Sequence, residues 1–197
     1  MVHRFDFESD GATRKGMEDL CSLLTLRPEQ KYESTWERVV ARIKDVVTIP
    51  EQQNAALSHL ADLLLLTYAL RNADCHTKNI ALLYSSREHI ELAPVYDMLT
   101  ITVYDDHAKN PPGMAVDGRT TWTPGKALER FLQTRCNLMP AQTLERIERI
   151  CEGHAITGRN DNHRLVEVVE HVLIEDQVAV MPFQAILVLV ADDLCLE

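Results

Sequence analysis

The sequence is poor in the residues that build several common kinds of site. Its seven glycines are scattered, and none of them form the G-x-G-x-x-G pattern whose backbone wraps around nucleotide phosphates. Its five cysteines are odd in number and include no C-x-x-C pair, which argues against both a disulfide framework and a cysteine-rich zinc site. Reduced thiols in a cytosolic protein are therefore expected.

Long apolar runs and an excess of positive charge are also missing. The amino terminus lacks the apolar core of a signal peptide. The most apolar run, residues 55–70, is interrupted by His59 and Asp62, so it predicts a buried helix and no membrane span. The formal net charge of −10 argues against a broad basic surface for nucleic acid. We therefore expect a cytoplasmic protein with no membrane contact and no direct nucleic-acid binding.

The periodicity of the apolar residues indicates a mainly α fold. A chain of 197 residues suits one domain or one large lobe of an enzyme. Residues 1–7 predict a short extended piece, because they are rich in β-branched and aromatic side chains. Residues 17–24 predict the first helix, with Glu18 and Asp19 near its amino end, where the helix dipole favours acids.

Two longer helices are predicted next. Residues 36–47 repeat apolar side chains at helical spacing, and Thr35 is a plausible cap. Pro50 suits the first turn of a helix that runs to about Leu70. Because this last helix is apolar on nearly every face, it is expected in the middle of a helical lobe, with neighbours around it.

The second half of the chain predicts one hairpin and then helices. Ile80–Tyr84 and His89–Leu92 read as two short strands joined by a tight turn. Residues 105–124 carry three prolines and two glycines and predict a long irregular loop. Helices are expected from about Gly125 onward, and the apolar segment Ala179–Leu194 is also interpreted as a helix.

Three oxygen-bearing side chains follow the long apolar helix at suggestive intervals. Asp74 and Asn79 have the Asp-to-Asn spacing of a protein-kinase catalytic loop, and Asp97 follows the predicted hairpin. Phosphoryl transfer needs a group that orients and deprotonates the attacking hydroxyl, and metal ions that neutralise the phosphates. Asp74 suits the first role, whereas Asn79 and Asp97 suit Mg²⁺. Lys78 could add positive charge near the transferring group, and His76 could fix the loop by hydrogen bonding.

Other interpretations of the same stretch stay open at this point. Asp and Asn are common in turns, so an isolated D-x₄-N pair is usually structural. Asp74, Cys75 and His76 could instead bind a transition metal, although adjacent residues cannot easily all face one ion. A reactive thiol at Cys75 is a further alternative.

Two segments resemble motifs of a known family. Residues 72–79 read N-A-D-C-H-T-K-N, and residues 92–97 read L-A-P-V-Y-D. They are similar to the catalytic loop N-x-D-x-H-x-K-N and the metal-binding segment L-x-P-x-Y-D in the carboxy-terminal domain of HipA-like serine/threonine kinase toxins. Weaker matches flank them, because residues 4–6 resemble the hinge strand E-R-F-D and residues 31–33 resemble the K-Y-E loop.

The resemblance implies a fold and a set of catalytic roles. The fold would be a helical, kinase-like C-lobe with a small β-hairpin that carries the catalytic and metal-binding loop. Asp74 would be the catalytic base, with Lys78 beside it, and Asn79 and Asp97 would hold Mg²⁺.

The resemblance also implies where ATP lies. His3 and Phe5 would border the adenine, and His76 would contribute from the catalytic loop. This chain departs from the family at two of the expected positions. His3 stands where the hinge usually has Glu, and Gly16 stands where a His is common.

The implied activity is transfer of phosphate from Mg-ATP to a protein serine or threonine in a bacterial type II toxin–antitoxin system. Aminoacyl-tRNA synthetases are the family's usual class of target, and an antitoxin or a separate N-lobe chain is the expected partner. We expect residues 1–197 to form a single C-terminal domain without the family's amino-terminal ATP-grasping lobe. The alternatives are a degenerate lobe that only binds an antitoxin, and a small-molecule phosphotransferase.

Overall fold

The computed structural model describes residues 4–8, 10–99, 105–122 and 126–157. Within these ranges the protein is rich in helix and contains one small antiparallel sheet, which confirms the helical fold predicted from the sequence. Its helices are α1 (Leu20–Leu23), α2 (Trp36–Val46), α3 (Pro50–Ala69), α4 (Lys126–Thr134) and α5 (Pro140–Thr157). Its strands are β1 (Gly16–Asp19), β2 (Ala81–Tyr84) and β3 (Ile90–Leu92). Short 3₁₀ turns occupy Pro28–Gln30, Thr77–Asn79 and Asp105–His107.

Helix α3 lies at the centre of the hydrophobic core. Leu57, Leu60 and Leu64 are completely buried, and helices α2 and α5 and strand β3 pack around them. Pro50 occupies the first turn of α3, as predicted, because a first-turn proline loses no helical hydrogen bond. Thr35 caps α2 as predicted, since its hydroxyl accepts a hydrogen bond from the Arg38 amide at 3.3 Å.

One polar side chain interrupts the apolar surface of α3. Asp62 is only 4% exposed, and the Arg146 Nε of α5 donates a hydrogen bond to its Oδ1 at 3.0 Å. The same guanidinium also bonds the Ser58 hydroxyl, one turn earlier on α3. A buried carboxylate needs such a partner, so this contact ties α5 to the central helix.

The prediction of a helix over residues 17–24 is wrong in its first half. Residues 16–19 form the edge strand β1, which pairs antiparallel with β2 in a register that places Met17 opposite Leu83. The Asp19 side chain then caps the short helix α1 by accepting a hydrogen bond from the Ser22 amide at 2.8 Å. Capping by an Asp stops a helix from extending backward, and the open edge of β2 pairs with the residues before it.

The two predicted strands after residue 79 are confirmed as β2 and β3, with Leu82 opposite Leu92.

The extended piece predicted over residues 1–7 is not formed in residues 4–7. The chain there makes a turn, and Phe7 forms a single bridge with Arg14. The predicted helix Ala179–Leu194 lies outside the described residues. No helix in the described residues is long and apolar enough to cross a membrane.

Leu64→Ala should lower the free energy of unfolding by about 2–5 kcal/mol, because it leaves a cavity beside the other core leucines. Leu144→Ala is the matched control. Leu144 is 57% exposed on α5, so its truncation should change the free energy by less than about 0.5 kcal/mol. Urea denaturation followed by circular dichroism measures both values. Equal losses for the two variants would contradict the central position of α3.

Candidate functional site

The loop between α3 and β2 starts from the carboxyl end of the buried helix. Arg71 has a φ of 50°, a left-handed conformation that turns the chain out of the helix. The Asn72 amide then donates to the Thr67 carbonyl at 2.9 Å, which fastens the start of the loop to the last turn of α3. We call residues 71–79 the catalytic-motif loop.

Asp74 is the partly exposed carboxylate of this loop, with 35% of its side chain accessible. Its backbone amide donates to Asn72 Oδ1 at 3.1 Å. The Asn72 side chain is buried, and its Nδ2 donates to the Met98 sulfur at 3.3 Å. A buried amide therefore holds the backbone of Asp74 and leaves the carboxylate at the surface.

Asn79 and Asp97, the two predicted metal ligands, are in direct contact. Asn79 Nδ2 donates to Asp97 Oδ2 at 2.6 Å, and Asn79 Oδ1 accepts from the His76 amide at 3.1 Å. Asp97 has a φ of 54°, an uncommon conformation for a residue other than glycine. The structure thus brings together side chains that are 18 positions apart in the sequence.

The donor set of this pair fits magnesium. Carboxylate and amide oxygens are hard ligands, and Mg²⁺ in phosphate-transferring sites typically takes one or two protein ligands, with phosphates and water completing its shell. Asn79 and Asp97 supply such a pair. Across the described residues, no group of three or more His, Cys, Asp and Glu side chains could hold a metal ion, so Asp74, Cys75 and His76 do not form the alternative transition-metal site.

Tyr32 is a site residue that sequence reasoning missed. Its hydroxyl donates a hydrogen bond to Asp74 Oδ1, and its ring meets the His76 ring edge-on at a centroid distance of 5.0 Å. Burial and the bond to Asp74 raise the pKa of Tyr32 to about 12, so the hydroxyl keeps its proton at neutral pH. The one signal for Tyr32 in the sequence was the resemblance of residues 31–33 to the K-Y-E loop, and this resemblance assigned no role to the tyrosine.

His76 packs under the carboxylate of Asp74. Its side chain is buried, and its Nε2 lies 3.9 Å from Asp74 Oδ1. Burial first, and the nearby Lys31 second, lower the pKa of His76, which favours the neutral ring at pH 7. The sequence predicted that His76 fixes the loop by hydrogen bonding. Its backbone amide donates to Asn79 Oδ1, whereas its buried ring Nδ1 has no hydrogen-bond partner among the described residues.

Tyr96 contacts two residues that were predicted to belong to the site, Lys78 and Phe5. The Tyr96 hydroxyl donates to the Lys78 carbonyl at 2.8 Å, which ties the loop to the segment before Asp97. Phe5 stacks against the Tyr96 ring at 5.7 Å with an interplanar angle of 28°. The Lys78 side chain is exposed, and His3 lies outside the described residues.

Gly113 presses against the catalytic-motif loop from the irregular loop after β3. A Cβ at this position would lie 2.4 Å from the Cys75 carbonyl oxygen and 2.9 Å from that of Ala73. These two carbonyls flank Asp74 in the chain. The sequence predicted only an irregular loop around Gly113. A local sequence pattern does not show that a glycine lies against the backbone of a distant loop.

Comparisons with known proteins identify the family and the fold of this chain. The model of the HipA-like C-terminal domain family matches residues 1–157. Two curated relatives from Sinorhizobium fredii are named "Putative kinase Y4dM" and "Putative kinase Y4mE". The first is 28% identical over 103 residues, and the match covers 52% of this chain and 24% of the relative. The second is 30% identical over 113 residues, which are 54% of this chain and 26% of the relative.

A solved structure supports the same fold. The HipA toxin–antitoxin structure from Shewanella oneidensis, a complex of HipA, HipB and operator DNA, aligns with a TM-score of 0.59 and 18% identity. The alignment covers 94% of this chain and 44% of that chain. This chain therefore matches about a quarter of the length of the curated relatives and under half of the length of the chain in the solved structure.

The helix-rich fold and the family match define a HipA-like class of protein. Within that class, the chain belongs to the HipA-like C-terminal domain family.

Gly113→Ala should destabilise the protein by about 1–3 kcal/mol, because its new methyl group meets backbone atoms that cannot rotate away. Gly113 has no positive φ, so strain at the glycine itself is not the cause. Gly16→Ala is the control: its Cβ would lie 3.2 Å from a ring carbon of Tyr84, a side chain that can shift. Urea denaturation should give the control a loss under about 0.5 kcal/mol. Equal losses would contradict the close approach at Gly113.

Cys75 should resist alkylation in the folded protein. It is 2% exposed, and burial raises the pKa of its thiol to about 12, so little reactive thiolate forms at pH 8. Peptide mass spectrometry after iodoacetamide treatment measures the labelling, with protein unfolded in urea as the fully reactive control. Rapid native labelling of Cys75 would restore the reactive-thiol alternative.

Proposed function

We propose that this chain is the kinase-like C-lobe of a protein serine/threonine kinase, and that it transfers phosphate from Mg-ATP to a protein hydroxyl. One observation carries the proposal. The Asn79 amide, on the loop that also presents Asp74 at the surface, donates a hydrogen bond from its Nδ2 to the Asp97 carboxylate at 2.6 Å. A proton acceptor beside a pair of hard oxygen ligands is the arrangement that phosphoryl transfer requires.

Asp74 is the proposed general base. Its backbone is anchored by Asn72, whereas its carboxylate is partly exposed and can meet a hydroxyl from another protein. A positioned carboxylate orients the attacking oxygen and accepts its proton as the bond to phosphorus forms.

Asn79 and Asp97 are the proposed Mg²⁺ ligands. When bound, the ion would neutralise the phosphates of ATP as charge shifts to the leaving oxygen. Asp97 supplies the charged oxygen, and Asn79 is held in place by the His76 amide. The catalytic-motif loop therefore holds Asn79 in place before ATP arrives, and the hydrogen bond from Asn79 to Asp97 joins the second ligand to the loop.

Lys78 and the aromatic residues near Tyr96 complete the proposed ATP site. The exposed ammonium of Lys78 would add positive charge beside the transferring group. Phe5, His3 and His76 are the proposed contacts to the nucleotide, and the stack of Phe5 on Tyr96 supports the placement of Phe5 next to the metal segment.

The proposed partners follow from the family. We propose that a further lobe, on another segment or chain, covers the nucleotide, and that residues 1–197 act as one C-terminal unit. The Shewanella oneidensis neighbour is bound to HipB and operator DNA, which supports an antitoxin as a partner of this chain. The proposed acceptor is a protein hydroxyl, with aminoacyl-tRNA synthetases as the first class to test, in the cytoplasm.

Asp74→Asn should reduce phosphate transfer by about 10²–10⁴-fold, because the amide cannot accept the hydroxyl proton. Radiolabel transferred from the γ-phosphate of ATP to a panel of purified aminoacyl-tRNA synthetases measures the rate. Asp45→Asn, an exposed carboxylate on α2, is the matched control and should leave the rate unchanged.

Transfer that is unchanged in Asp74→Asn would overturn the assignment of the base. Label that appears on small amino sugars or choline, and on no protein, would favour the small-molecule phosphotransferase. A chain that captures an antitoxin but never binds Mg-ATP would favour the partner-binding module.

A further inference from the structure

The segment that carries Tyr32 is fastened to the catalytic-motif loop by its backbone. The Lys31 carbonyl accepts two hydrogen bonds from Thr77, one from its amide at 3.2 Å and one from its hydroxyl at 2.9 Å. Thr77 is fully buried. The residue directly before Tyr32 is therefore anchored to the loop that carries Asp74.

The ring of Tyr32 is also held on two sides. The His76 ring meets it edge-on with an interplanar angle of 74°, and the Lys31 ammonium lies 4.8 Å from its centroid. A cation near an aromatic ring and an edge-on aromatic contact each favour one ring position. The hydroxyl group is thus placed by contacts that do not involve Asp74.

The contacts of Asp74 select one of its two oxygens. The Tyr32 hydroxyl donates to Oδ1, and His76 Nε2 is nearest to the same atom, at 3.9 Å. A carboxylate has two acceptor oxygens, and a hydrogen bond to one of them limits rotation of the whole group. The Asp74 carboxylate is therefore oriented so that Oδ2 can accept the proton of an incoming hydroxyl.

We propose that Tyr32 is a positioning residue for phosphoryl transfer, which orients the carboxylate of Asp74 through a hydrogen bond to Oδ1. This inference rests on the proposed kinase function and adds one residue to its machinery. Tyr32 touches neither phosphate nor metal in this role. It acts through Asp74, in the way that outer residues hold catalytic groups in productive geometry.

Tyr32→Phe should lower kcat by about 10-fold to 100-fold, the usual effect of losing an orienting partner, and leave the KM for ATP unchanged. Tyr84→Phe is the matched control. The Tyr84 hydroxyl also donates to a carboxylate, Glu18 Oε2 at 3.4 Å, and burial also raises its pKa to about 12, but it does not contact Asp74. The control should keep the wild-type kcat, and thermal unfolding should show both variants folded.

A double variant separates positioning from a general effect. If Tyr32 acts through Asp74, then Tyr32→Phe should cause no further loss of residual transfer in an Asp74→Asn background. Independent, multiplying losses would overturn the proposal, as would a Tyr32→Phe enzyme with a normal or raised kcat. A raised kcat would mean that the tyrosine blocks the acceptor hydroxyl.

The same experiment distinguishes failure of this inference from failure of the proposed function. Absence of transfer and of Mg-ATP binding in the wild-type chain, assayed together with the lobe that covers the nucleotide, would overturn the kinase proposal and the role of Tyr32 with it. Wild-type transfer with an unaffected Tyr32→Phe variant would overturn the role of Tyr32 alone.

Discussion

Burial of helix α3 is the constraint on which the rest of the structure depends. Leu57, Leu60 and Leu64 are fully enclosed, so the helix cannot slide or rotate without opening the core. Its carboxyl end is consequently a fixed point, and the catalytic-motif loop starts from it. The strand β2 that follows this loop is also buried between β1 and β3. The loop is therefore held at both ends by elements of the core.

A few polar contacts fix the positions of the site residues between these core elements. The Asn79 side chain joins the loop to Asp97, while Tyr32 and Asn72 hold the carboxylate and the backbone of Asp74. Gly113 lies against the Ala73 and Cys75 carbonyls, so a larger residue at this position would displace the catalytic-motif loop. Buried amide side chains are costly to leave unpaired, so the hydrogen bonds of Asn72 and Asn79 help to specify a single loop conformation.

Much of this arrangement could be predicted from the sequence because its signals are local. The apolar run of α3, the hairpin, and the spacing of Asp74, Asn79 and Asp97 all lie within short windows, where periodicity and turn chemistry apply. The contact between Asn79 and Asp97 agrees with that prediction, whereas the roles of these residues remain a proposal.

The features that escaped prediction depend on distant parts of the chain. Residues 17–24 have helical spacing, yet residues 16–19 pair with β2, because a buried strand with an open edge outweighs local propensity. Tyr32 meets Asp74 across 42 positions of sequence, and Gly113 touches carbonyls of a loop that precedes it by a whole hairpin. Neither contact produces a periodic pattern from which it could be predicted.

The proposed metal pair can be tested by calorimetric titration of ATP into the protein with and without Mg²⁺, since this measurement of binding requires no acceptor protein. If Asn79 and Asp97 hold the metal, ATP binding should depend on Mg²⁺ in the wild-type protein and in Asp74→Asn. The dependence should be lost in Asp97→Ala, because the charged metal ligand is gone. Binding that is indifferent to Mg²⁺, or unaffected by Asp97→Ala, would contradict the assignment of Asn79 and Asp97 as the metal-binding pair.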